Sequence, residues 1–200
     1  MRSVEKLPEG YEKIYSVDLQ KNKKLSLLVN GLAVAIMILM VVPMRFLVPI
    51  RATFPPEKPV GCLGKLTLTL ALLVLYIVLH EAVHGIAMKI CGTKKVKYGF
   101  TGLYAFAGST DYYGKGAYIF IALAPVVLWG IVLAVVNAFV SPEWFWVIYF
   151  IQINNISGAA GDFFVTARFS TMPKDILVQD YGVGMTVYSK EEYKSKADTP

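Results

Sequence analysis

Charge is missing from four long stretches of the chain. Asp, Glu, Lys and Arg are absent from Leu25 to Met44, reduced to Glu81 alone between Leu66 and Met88, and absent again from Gly116 to Pro142 and from Trp144 to Gly161. Each stretch is close to the ~20 residues that carry a helix across a hydrocarbon core. The pattern predicts an all-α membrane protein with four transmembrane helices, over about 25–44, 66–88, 117–140 and 144–167. A cytoplasmic tail over 168–200 follows. The spans leave no stretch for a separate soluble core, so 1–200 reads as a single integral membrane domain.

The segments between the spans are polar. Residues 1–24 read as an amphipathic cytoplasmic lead, and Arg51 to Gly64 as a Pro- and Gly-rich outer loop. Pro43-Met44-Arg45 closes the first span as a kink and interface anchor, and Pro125 predicts a kink inside the third. Ser141-Pro142-Glu143 reads as a tight outer turn, and Trp144, Trp146 and Tyr149 mark the outer interface of the fourth span. Two segments outside the spans read as β structure, and the first alternates at Val96, Tyr98 and Phe100. Val96 to Ala107 and Ile176 to Tyr188, the latter turning at Tyr181-Gly182, are expected to be short cytoplasmic β segments.

Basic residues orient the spans. With the N-terminus inside, sixteen Lys and Arg fall on the cytoplasmic side, against four (Arg45, Arg51, Lys58 and Lys65) outside. That asymmetry predicts a multi-pass protein of the cell membrane with N- and C-termini cytoplasmic. The net charge of +6 is thus a topology signal, and no basic stripe interleaved with aromatics suggests nucleic acid. No small-residue cleavage site follows the first span, which predicts a retained helix rather than a signal peptide. Cys62 and Cys91 fall on opposite sides of the membrane in this topology and are expected to be separate thiols.

The second span carries His80-Glu81-Ala82-Val83-His84, which contains both histidines of the chain. Residues four apart share a helix face, so both imidazoles point to one spot. Zn²⁺ takes two such nitrogens, a third protein ligand and an open position, and Glu81 sits where a general base belongs. Ionisable groups inside a span are costly and are by default functional. The third ligand should come from matching depth on another span. His84 lies 18 residues past Leu66 and Asp162 lies 18 residues past Trp144, so each is ~27 Å from the outer side on a parallel span. That agreement makes Asp162 the expected third metal ligand with His80 and His84; the alternative is an interface charge near Arg168. Just before it, Ser157-Gly158-Ala159-Ala160-Gly161 allows close helix approach or local unwinding. Asn154 and Asn155 are candidates to hold a substrate backbone or donate to an oxyanion, or else to bond neighbouring helices.

Three stretches resemble the bacterial integral-membrane putative zincin peptidases: His80 to Gly85, Ile121-Ala122-Leu123-Ala124-Pro125, and Ser157 to Asp162. Asp180 to Tyr188 is similar to the tail of that group, and the likeness runs from Leu7-Pro8-Glu9-Gly10 onward. A more distant similarity is to the site-2 proteases. There the two motif histidines and a later aspartate hold zinc, and an asparagine stands eight positions before that aspartate, as Asn154 does here. The chain departs from them at Ser157, Ala159 and Phe163, where they carry prolines and a glycine. The resemblance implies a zinc metallopeptidase and names no substrate.

The expectation is therefore a zinc-dependent intramembrane metalloprotease-like protein with Glu81 as base. It would act on a membrane protein or peptide substrate within the lipid bilayer, and such a helix must unwind locally to be cut. The alternative is a non-catalytic metal-binding membrane protein that serves as a scaffold or partner subunit. A metal transporter is disfavoured, because the first and third spans carry no His, Asp or Glu to line a path.

Overall fold

The computed structural model describes residues 3–18, 21–102, 104–182 and 184–190. Residues 191–200 of the expected tail lie outside the described residues. In chain order the elements are β1 (Glu12–Asp18), α1 (Lys23–Leu47), α2 (Ile50–Thr53), α3 (Pro59–Ile90), β2 (Lys97–Phe100), β3 (Ala105–Gly108), β4 (Tyr112–Gly114), α4 (Lys115–Phe139), α5 (Pro142–Gly158), α6 (Ala160–Ser170), β5 (Leu177–Asp180) and β6 (Gly184–Ser189).

Helices α1, α3 and α4 are long and apolar enough to cross a membrane. They mark the chain as a multi-pass membrane protein. Their large apolar side chains face outward: Leu27, Leu39 and Leu47 on α1, Val60 on α3 and Phe139 on α4 are each more than two-thirds exposed. In water such surface would drive association; lipid removes that cost.

Three expectations about the helices change. Helix α3 starts at Pro59, so the second half of the expected outer loop, with Cys62 and Gly64, is helical. Proline suits the first turn of a helix, where its missing N–H is not needed. The first span keeps its helix through Pro43 to Leu47 rather than ending there. The fourth expected span is divided into α5, of 17 residues, and α6, of 11. The break falls at Ala159, whose φ of −79° and ψ of 12° leave the helical region, inside the small-residue run.

The chain separates into two compact units, and the cuts fall within continuous helices. The first takes Met1–Ser26, Glu81–Ala124 and Phe163–Pro200. It holds an antiparallel sheet of order β1-β6-β5-β4 and the hairpin β2-β3. Its core packs Met88, Tyr113, Ile121, Phe169, Ile176, Val178 and Val187. The Tyr113 hydroxyl is shared with Thr93 Oγ1 at 2.6 Å and Ser109 Oγ at 2.7 Å. Burial pushes that phenol's pKa above its ordinary value. The expected β segments are here, as β2-β3 and β5-β6. The N-terminal lead instead contributes strand β1, and β4 is a further strand the expectation lacked.

The second unit takes Leu27–His80 and Pro125–Asp162 and is helical. Trp146, fully buried, donates from Nε1 to the Val48 carbonyl at 2.9 Å. Thr53 Oγ1 donates to the Pro142 carbonyl at 2.8 Å, and Lys65 Nζ donates to the carbonyls of Thr53 and Glu143, each at 3.0 Å. These bonds tie the α2 turn and the start of α5 to α3. Both cysteines are free thiols.

Candidate metal centre

Helix α3 runs unbroken through His80, Glu81 and His84. A residue four positions on returns to the same face one turn along, so the helix itself aligns the two imidazoles. In the second unit His80 meets a carboxylate: its Nε2 stands 3.8 Å from Asp162 Oδ2. Asp162 lies in the first turn of α6, where the break at Ala159 has started a new helix. A helix N-terminus favours negative charge, so the break gives the carboxylate a supportive position. With His84 carried one turn further by α3, one ligand-capable atom from each of His80, His84 and Asp162 lies within 4.8 Å of the others. The three candidate ligands drawn from the sequence are thus brought together.

The surroundings of the histidines include residues that the sequence reading missed. His80 Nδ1 lies 2.8 Å from the Tyr76 hydroxyl, which donates to Asn155 Oδ1 at 2.7 Å. Asn155 Nδ2 in turn donates to the Val126 carbonyl at 3.2 Å. His84 Nδ1 lies 2.9 Å from the Ile121 carbonyl. Tyr76 is four residues before His80, on its face of α3, and that spacing was the available signal. Asn155 is wholly buried, with both ends of its amide bonded. Asn154 is half-buried, with its Oδ1 beside Gly158.

Glu81, half-buried, projects about 100° around the helix from His80. Gly85 is one turn along on its face, and the Tyr98 hydroxyl from β2 lies in the space that a Cβ there would take.

A helix carrying His-Glu-x-x-His, with a carboxylate at the same point, offers the donor set of a zinc site. The chain belongs to the family described as "Putative zincin peptidase", whose sequence profile matches residues 73–177. That stretch takes in all the residues of the centre, from Tyr76 to Asp162. The chain is also 30% identical, over 133 residues, to a protein of Pyrococcus woesei titled "Uncharacterized 24.7 kDa protein in gap 5'region". The match covers 64% of this chain and 54% of that protein, so it spans about half of the relative's length. No solved structure matches.

Proposed function

We propose that the chain is a zinc-dependent, metalloprotease-like enzyme that hydrolyses peptide bonds of membrane or membrane-proximal proteins. The observation that carries this reading is the convergence of His80, His84 and Asp162 within 4.8 Å. Two imidazoles and a carboxylate, with the glutamate that follows the first imidazole, fit a catalytic zinc site and leave its fourth position to water or substrate. His80, His84 and Asp162 would hold the ion. When bound, zinc supplies Lewis acidity that polarises a carbonyl and acidifies water.

The chain's own groups would do the rest. The Glu81 carboxylate takes a proton from the attacking water and returns it to the leaving amine nitrogen as the C–N bond breaks. Asn155 is too buried to meet a substrate, so it is assigned to the support of His80. Asn154 remains the candidate donor to a substrate carbonyl.

The proposal includes four membrane crossings. Strand β4 leads directly into α4, and β5, which pairs with β4, follows α6. Paired strands lie on one side of a membrane, so an even number of crossings must separate them. Helix α4 provides one, and the α5–α6 segment is left to provide the other. Strand β1, ahead of α1, belongs to the same sheet, which makes α1 and α3 a second pair. The excess of Lys and Arg puts that sheet in the cytoplasm.

The test of function is Glu81→Gln. It keeps the metal ligands and is expected to retain zinc while losing cleavage of membrane-protein substrates, read by comparing the membrane proteomes of cells carrying each form. Full activity in Glu81→Gln removes Glu81 as the base.

A further inference from the structure

Helix α4 carries a proline in its interior, Pro125. In an α-helix the N–H of a residue bonds the carbonyl four positions earlier, and proline has no N–H. The carbonyl deprived of its usual donor is therefore that of Ile121. Ile121 is buried, at 2% exposure, where a carbonyl lacking a donor is costly. His84 Nδ1 lies 2.9 Å from that same oxygen. A carbonyl only accepts, so Nδ1 carries the hydrogen and the lone pair of the ring is on Nε2.

A second chain of donors starts on the other side of the proline, at Val126. Its carbonyl accepts from Asn155 Nδ2 at 3.2 Å, which orients the amide with Oδ1 toward Tyr76. Oδ1 accepts the single hydroxyl hydrogen of Tyr76 at 2.7 Å. The Tyr76 oxygen must then accept from His80 Nδ1, 2.8 Å away. The lone pair of His80 is thereby on Nε2, the atom 3.8 Å from Asp162 Oδ2. Two acceptors cannot hydrogen-bond each other, whereas a cation between them would be bound by both.

We infer that Pro125, Tyr76 and Asn155 are positioning residues that set both histidines in the Nδ1–H tautomer, with each Nε2 turned to the metal. This rests on the zinc reading above and adds to it the reason for a proline in the middle of α4. Outer partners of this kind fix ring orientation and raise ligand basicity.

The experiment uses the full chain in detergent, zinc-free and labelled with ¹⁵N-histidine. Long-range ¹H–¹⁵N spectra separate the two tautomers, and the chain has just two histidines to assign. Wild type is expected to show the Nδ1–H form at both. Pro125→Ala returns an N–H to the Ile121 carbonyl and is expected to mix the tautomers of His84 and leave His80 unchanged. Tyr76→Phe is expected to do the reverse. In the same samples each substitution should weaken zinc binding, measured by chelator competition, by about 10–100-fold. Tyr76→Phe removes one atom and keeps the test decisive if Pro125→Ala does not fold. An Nε2–H form at either wild-type histidine, or variants with unaltered tautomers and affinity, overturns the inference. A wild type that binds no zinc defeats the zinc reading separately, and the spectra still decide this one.

Discussion

Nε2 of His80 and Oδ2 of Asp162 stand 3.8 Å apart, although 82 positions separate the two residues in sequence. A metal ion held by both would draw on the carboxylate as much as on the imidazole. Asp162→Ala is therefore expected to weaken zinc retention by more than about 100-fold, beyond the usual cost of losing an outer partner. Equilibrium dialysis against a chelator of known affinity measures it. Zinc affinity equal to wild type would assign the third ligand to another residue.

The pairing of β4 with β5 predicts sidedness. Single cysteines placed at Lys58 and Ser141, in a chain with Cys62→Ser and Cys91→Ser, should react with a membrane-impermeant maleimide added outside intact cells. Cysteines at Lys97 and Lys174 should react only after the membrane is opened. Labelling of Lys174→Cys in intact cells would leave three crossings.

Gly108, at the end of β3, packs against backbone. A Cβ there would stand 2.7 Å from both the Gly182 nitrogen and the Tyr181 carbonyl carbon. Backbone cannot step aside as a side chain does, so Gly108→Ala should destabilise the sheet-bearing unit by about 1–3 kcal/mol. Thermal unfolding followed in the tyrosine signal of that unit would register this as a fall in midpoint. An unchanged midpoint would mean that the β5–β6 turn moves freely relative to β3.

Much of this architecture was legible in the sequence because a membrane makes polarity informative. Uncharged runs located α1, α3 and α4, and a histidine pair within one of them stood out for that reason. Counting residues along the expected spans made Asp162 the candidate third ligand, although α3 starts at Pro59 and the fourth expected span is divided at Ala159. Other features left weaker traces. Strand β1 carries a register shift between Lys13 and Tyr15, and the extra residue breaks the alternation that reveals a strand. Strand β4 has three residues, too few to establish a period. Tyr76 resembles any aromatic on a membrane helix until its hydroxyl is seen between His80 and Asn155. The small residues around Ala159 permitted a break, but composition does not say whether a helix bends or stops.

The zinc content of the purified chain decides whether His80, His84 and Asp162 hold a metal ion. Metal analysis of wild type and His80→Ala, prepared side by side in the same detergent, is expected to find one zinc per wild-type chain and little or none in the variant. Equal zinc in the two, or none in a folded wild type supplied with zinc, would rule the metal centre out.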